Sequence, residues 1–474
     1  MKRIQLLLFF ILTLLFLGGC DKYLDLIPED TLVEDKVFEK FSTTESVMAG
    51  TYHLLFQAST TDYVIADGSS PVCDYSATVG RNLYDDLTNG TLLPDNSTSQ
   101  SIYGKYYAVV NQANLIIFKI TELGKYNENL KKQHIAEAKF IRAYALHRLL
   151  AWFGDGAFAV QPGGPGIVLY LKHYSGFDRG KDILPRNTIG EVYDQIIRDL
   201  EEAYPDLPGA AAVPSLEMRV SRANRSNCQA LLARVFLYMK NYQRAAESAR
   251  LALEDKNYSL ENDLLKIFPL NPNDAVIPFS KEHLFGFPVS SNNGNWQFGG
   301  NSIYYTNNYL WFNDAFLSTF LPEDLRILQI TRNSTYDGKP VVVTNKYPNK
   351  SGRDNMTMIR LSEMMLTRAE ALVAATNQIP TEALALLNEV FLRSNPSKTG
   401  FTLEDFPSTS SFLGKVWQER DRELCFEGLL RFDYLRTGRA LRNPNLPDNK
   451  KVLPIPAREV EISNGVVVQN KGYQ

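Results

Sequence analysis

The stretch NCQALLARVFLYMKNYQRAAESARLALED, residues 227–255, decides how the chain is built. At helical period Leu231, Leu232, Val235, Phe236 and Met239 form one apolar stripe. Lys240-Asn241-Tyr242 interrupts it, and a second helix is expected from about Gln243. There Ala245, Ala246, Ala249, Ala252 and Leu253 supply a face of mostly small side chains. Two antiparallel helices can then approach closely, with Phe236 and Tyr242 filling the remaining space. Such a hairpin cannot bury both of its faces alone, so it needs stacked neighbours.

The register of Leu232, Ala233, Phe236, Ala245 and Ala252 resembles a tetratricopeptide repeat, with an ordinary helical hairpin as the competing reading. Residues 358–376 and 381–394 form a comparable pair. In it Ala383, Leu387 and Val390 fall where Ala245, Ala249 and Ala252 fall, although the front helix fits only after a one-residue shift. Further helices are expected over residues 37–57, 103–123, 134–153 and 188–204. The pairs starting near Tyr103, Thr188, Ser226 and Met358, with final helices over 413–441, are expected to pack as one right-handed solenoid. Residues 58–100 and 278–355 lack helical period and mix Asp, Ser, Asn and Gly with aromatic residues. Long irregular stretches of this kind are usually functional or disordered. The two are expected to meet in space.

At the amino terminus Lys2 and Arg3 precede an apolar run over residues 4–17, too short for an ordinary span. It ends in Leu17-Gly18-Gly19-Cys20, which resembles a bacterial lipobox. Residues 1–19 read as a lipoprotein signal peptide, Cys20 as the lipid-bearing mature terminus, and residues 20–36 as a tether. More than one acyl chain on one residue gives stable anchoring. The net charge of -3 and the lack of a basic block argue against nucleic acid as a partner. Cys73, Cys228 and Cys425 cannot all pair. Cys228 and Cys425 read as small core residues, and no spacing suggests a metal.

Several motifs point to one family. Glu137, Arg142 and Ala143 lie in HIAEAKFIRAYALHRLLAWFGD, which closes on Trp152-Phe153-Gly154-Asp155. Pro185-Arg186 leads into the next helix. ERDRELCFEG at residues 419–428 is followed by Arg431-Phe432-Asp433 and Leu435-Arg436-Thr437-Gly438. The tail carries Leu453-Pro454-Ile455-Pro456, Glu459 and Gln469-Asn470-Lys471-Gly472-Tyr473, with Lys471 where proline is more common. In this order the motifs resemble the SusD/RagB family of outer-membrane nutrient-binding lipoproteins. The resemblance implies a mostly α fold, a tetratricopeptide-like helical-repeat scaffold with a large irregular insertion carrying minor β. A single SusD-like domain is expected over residues 37–474, with helical repeats at about 103–257 and 358–442 and the insertion at about 278–355. It also implies a non-catalytic, cofactor-free protein, lipid-anchored at the cell surface. Such a protein delivers glycan to a SusC-like TonB-dependent outer-membrane transporter.

Catalytic signatures are weak. His134-Ile-Ala-Glu137 lacks the second histidine of a zinc helix, and no nucleophile elbow, phosphate loop or dinucleotide fingerprint occurs. The five histidines are scattered. Glu423 and Glu427, one turn apart in an arginine-rich helix, read as structural rather than as a glycosidase pair. Glu419, Glu423 and Glu427 form one acidic stripe, so at least one is expected to be buried against Arg368, Arg393 or Arg436.

A glycan-binding reading rests on Trp296, Phe298, Tyr304, Tyr305, Tyr309, Trp311 and Phe312 among Asn292, Asn293, Asn295, Asn301, Asn307 and Asn308. Aromatic faces take the C–H face of a pyranose, and amides serve its hydroxyls. The spacing of Trp311, Phe312 and Phe316 reads as helical anchoring of the insertion. The candidate ligand contacts are Arg81, Tyr84, Trp296, Tyr304 and Tyr305. The alternatives are a peptide binder of the same architecture and a lipid-anchored hydrolase on a helical scaffold.

Overall fold

The computed structural model describes residues 34–79, 84–158, 160–174, 176, 178, 180–270, 277–288 and 303–474. Its long helices are α1 (Phe41–Gly68), α2 (Ser97–Leu123), α3 (Glu128–Phe153), α4 (Ile189–Ala203) and α5 (Arg225–Tyr238). They continue as α6 (Tyr242–Leu253), α7 (Leu361–Thr376), α8 (Thr381–Ser394), α9 (Thr409–Leu424) and α10 (Leu430–Thr437). Many start where a short polar side chain accepts the first free backbone amides. Asn96 and Asn127 do this for α2 and α3, while Thr188 with Glu191 and Asn224 with Asn227 form reciprocal boxes on α4 and α5.

Packing follows chain order. Helix α1 lies on α2, α2 on α3 and α3 on α4; α5 lies on α6, α6 on α7, and α7 on both α8 and α9. The side-by-side array matches the expectation. Ala245, Ala249 and Ala252 of α6 and Ala383, Leu387 and Val390 of α8 are all fully buried, so the shared register marks the packed faces. Cys73, Cys228 and Cys425 are free, buried thiols.

Among the described residues six short strands form three antiparallel pairs: β1 (Cys73–Tyr75) with β3 (Leu310–Phe312), β2 (His283–Phe287) with β6 (Met356–Arg360), and β4 (Thr331–Tyr336) with β5 (Lys339–Thr344). Asp337 and Gly338 join β4 to β5 at φ 49 and 74, the left-handed pair that a two-residue hairpin turn needs. The pairing of β1 with β3 brings residues 58–100 against the 278–355 insertion, as expected.

Several boundaries differ from the sequence reading: α2 and α3 start at Ser97 and Glu128, each six residues earlier than expected, and two further differences have a clear cause. Residues 58–68 continue α1 instead of starting a loop, because their polar side chains are buried partners. Asp62 accepts from Arg148, Trp152 and Tyr106, all in the interior. Met358 lies in β6, so α7 begins only at Leu361.

The three glutamates are more deeply buried than expected, but they do not share one helix: α9 ends at Leu424, and Glu427 lies in the turn beyond it, where Phe426 takes φ 61. Glu419, Glu423 and Glu427 are each at most 2% exposed. Glu419 pairs with Arg326 at 2.7 Å, and Glu423 pairs with Arg393 at 2.5 Å and Arg360 at 2.8 Å. Glu427 pairs with Arg360 at 2.8 Å and Lys346 at 2.5 Å, neither of them an expected partner. Of the three expected arginines only Arg393 joins these glutamates. Arg368 binds Glu382, and Arg436 binds Glu370 and Asp433. Burial pushes the Glu427 carboxyl upward, but Arg360 and Lys346 more than reverse it and hold it below the usual range.

Breaking such a pair leaves a charge buried alone, which costs about 3–5 kcal/mol. Glu427→Ala is therefore expected to lower the denaturant midpoint by an equivalent amount, and an unchanged midpoint would contradict the pairing. A second test concerns Asp67, fully buried and accepting from the Tyr305 hydroxyl at 2.7 Å and the Gly428 amide at 2.9 Å. Burial outweighs both donors and pushes its carboxyl up to about 7. The folded chain then keeps a proton that the unfolded chain loses near pH 4, so stability declines as pH rises from about 4 to about 7. Asp67→Asn should remove that decline, at most about 1.4 kcal/mol for each pH unit of the window. Thermal melts at the two ends of the window check it; equal slopes for the two proteins would refute it.

Candidate functional site

Along β3 the side chains alternate, Leu310 and Phe312 inward and Trp311 half-buried. Trp311 lies directly opposite Asp74 of β1, and directly opposed residues share a face of the sheet. The Trp311 ring stacks on Tyr336, at the end of β4, with centroids 5.2 Å apart and planes at 26°. The Tyr336 hydroxyl is hydrogen-bonded to Thr78 Oγ1 at 3.1 Å, which draws its phenol pKa down. The β4–β5 hairpin thus closes over the segment that follows β1.

Charges and amides border this stacked pair. Asp74 is bonded to the Arg442 guanidinium and accepts from Asn313 Nδ2 at 3.0 Å. Arg442 also lies over the Tyr75 ring, 4.7 Å from its centroid. Its Nε and Nη2 are shielded from water and have no hydrogen-bond partner among the described residues. The Tyr75 hydroxyl donates to Asp85 Oδ1 at 2.9 Å, and burial raises that phenol's pKa. Asn308 donates to Ser334 Oγ at 2.8 Å and accepts from Arg332 at 3.0 Å. The seam therefore offers half-exposed aromatic rings, amides, a hydroxyl and a guanidinium side by side, which suits recognition of a polyhydroxylated ring. Among the described residues no group of three or more His, Cys, Asp or Glu side chains is placed to hold a metal ion.

The expected contacts fare unevenly. Tyr84 is fully buried beneath Tyr75, with ring centroids 4.9 Å apart, and its hydroxyl donates to the Val64 carbonyl at 2.9 Å. Tyr305 is fully buried on Asp67. Both are interior residues, because each phenol finds an acceptor on α1 and its ring packs in the core, which corrects their assignment as ligand contacts. Tyr304 lies in the short helix Ile303–Thr306, with its side chain outside the described residues. Arg81, Trp296 and Cys20 lie outside the described residues. Asp74, Tyr336 and Arg442 escaped the sequence reading, and Trp311 sits on a strand rather than a helix. The inward–outward–inward run Leu310-Trp311-Phe312 and the Asp337-Gly338 turn are the local signals that mark this seam.

Comparison with known proteins agrees with this architecture. Residues 327–451 match the model of the SusD family, and residues 9–237 match a second model, starch-binding associating with outer membrane. SusD-like protein P38 of Formosa agariphila is 24% identical over 286 residues, which cover 58% of this chain and 50% of that protein. The match thus spans about half the length of that relative. A SusD superfamily protein from Bacteroides vulgatus superposes with a TM-score of 0.77 at 23% identity, over 92% of this chain and 100% of that one. A SusD-like carbohydrate binding protein from the same species gives a TM-score of 0.71 at 18% identity, over 85% of each chain. These structural likenesses show the fold. With two family models on separate stretches and the motif order of the helical scaffold, the chain matches the SusD/RagB family along most of its length.

Proposed function

We propose that the protein is a non-catalytic, cell-surface lipoprotein that captures a glycan and hands it to a SusC-like TonB-dependent outer-membrane transporter. The observation that carries this reading is the stacked Trp311–Tyr336 pair, rimmed by Asn308, Asn313, Thr78 and the Arg442–Asp74 pair. A pyranose laid on these rings presents its hydroxyls to amides and a guanidinium. Arg81, Trp296 and Tyr304 join the proposed contacts, since they belong to the two stretches that meet at this seam. Support for glycan as ligand also comes from the family's starch-binding model and from the carbohydrate-binding relative. Anchoring rests on Cys20 and its lipobox, with removal of residues 1–19. No helix among the described residues is long and apolar enough to cross a membrane.

Titration of neutral oligosaccharides into the purified protein tests the site. Removing one stacking ring takes away about 0.5–1.5 kcal/mol beyond buried area, so Trp311→Ala should weaken binding several-fold to about tenfold. Trp296→Ala is expected to abolish retention. Neither change should move the melting transition. Undiminished affinity in Trp311→Ala would take the site away from this seam. Separately, Cys20→Ser should abolish fatty-acid labelling and release the chain from the membrane fraction; continued labelling would refute the anchor.

A further inference from the structure

Tyr103, Tyr107 and Asn111 recur every four residues along α2 and form one stripe of that helix. The stripe lines a cavity of about 490 Å³ whose other walls are Tyr170, Tyr174, Asp182 and, from the C-terminal helix Ala457–Ile462, Glu459. This volume suits a small ligand. The four rings form a continuous aromatic wall. Tyr103 and Tyr107 have centroids 4.6 Å apart, Tyr107 meets Tyr170 edge-on at 5.6 Å, and Tyr170 meets Tyr174 at 5.7 Å and 88°. Gly104, between the first two tyrosines, contributes no side chain to the cavity. The wall is held from behind: the Tyr107 hydroxyl donates to the Val168 carbonyl at 2.9 Å, and Asn111 Oδ1 accepts from the Tyr174 amide at 3.2 Å.

The charges of this cavity are both negative, Glu459 and Asp182. Asp182 accepts from the Asp178 amide at 2.6 Å. The Glu459 side chain is half-buried and has no hydrogen bond or ion pair among the described residues. Burial raises its pKa, against only the field of the exposed Arg458. The cation behind the wall, Arg186, gives its hydrogen bonds to the carbonyls of Phe153, Pro165, Gly166 and Val468 and to Asn470. A carboxylate half-withdrawn from water is unfavourable without a partner. Aromatic faces beside it add negative potential. Both features disfavour an anion and leave a neutral ligand uncompensated, while a cation satisfies them together.

We propose that this cavity is a second binding site, taking a protonated amino group carried on a pyranose: a de-N-acetylated amino sugar. The ring would stack on Tyr170 or Tyr174 while the ammonium is held by Glu459 and Asp182. The amine follows from the cavity alone, whereas its sugar carrier rests on the glycan-binding reading above. The site shares no residue with the Trp311–Tyr336 seam.

Calorimetric titration of the full mature chain in detergent tests this, with glucosamine trimer, its fully N-acetylated counterpart and a trilysine peptide as probes. The glucosamine trimer should bind, and the acetylated trimer at least about tenfold more weakly. Glu459→Gln and Tyr170→Ala should each weaken the glucosamine trimer by a similar factor, with the melting temperature used to confirm folding. Trp311→Ala should leave this binding intact, and Glu459→Gln should leave neutral-glycan binding intact. Equal affinity for the acetylated trimer in the Trp311→Ala protein, where the seam is weakened, or an unaffected folded Glu459→Gln protein, overturns the site. Trilysine binding more tightly than glucosamine trimer overturns the sugar assignment. Weakened neutral-glycan binding in Trp311→Ala, with amine binding retained, separates the two sites; failure of neutral glycans to bind at all counts against the seam alone.

Discussion

Arg360 is the group on which most of the remaining structure depends. It ends β6, is about 1% exposed, and donates to Glu423, Glu427 and Glu282 at once. Removing several ions from water costs several kcal/mol for each, offset only where partners are close and well aligned. The constraint therefore reaches every segment that contributes a charge. Lys346 comes from beyond the β4–β5 hairpin, Arg393 from α8, Arg326 from the insertion, Glu419 and Glu423 from the end of α9, and Glu427 from the turn that follows it. The insertion is thus tied to the helical array by charge pairing as well as by apolar contact.

Strain appears where that network closes. The chain leaves α9 through Phe426 at φ 61 and Gly428 at φ 69. A side chain is uncomfortable in that region, and at 428 a Cβ would stand 2.6 Å from the Tyr63 ring. Glycine there lets the turn lie against α1, where its amide reaches Asp67. On the other side Asp67 holds Tyr305 of the insertion. One turn therefore links the last helices, the first helix and the segment that carries β3, so the seam at Asp74 and Trp311 stands on a fixed base rather than on free loops. A binding surface so mounted loses little freedom when it takes up a ligand.

The family motifs acquire physical meaning in this setting. Glu137 accepts from Tyr52 and pairs with Arg222, Arg142 forks onto Asp199, and the Trp152 indole donates to Asp62. Asp433 holds Arg420 and Arg436. These residues are buried polar joints between helices, which is a reason for their types and spacing that does not involve ligand. The groups that face outward at the seam belong to other positions.

The amino-acid sequence by itself determined the helices, their pairing and their order, because helical period, small-residue faces and caps are local properties written within about thirty residues. Residues 227–255 and 381–394 are read correctly on those grounds alone. It also announced that at least one of the charges at 419, 423 and 427 had to be buried and paired. Which cations met them was decided by tertiary structure, since Lys346 and Arg360 lie more than sixty residues away. Tyr84 and Tyr305 illustrate the same limit. A tyrosine suits a ligand platform and a core position equally well, and only the acceptors on α1, Val64 and Asp67, made these two interior. Asp74, Trp311 and Arg442 come together across hundreds of residues through a three-residue strand pair, and no local period can express that contact.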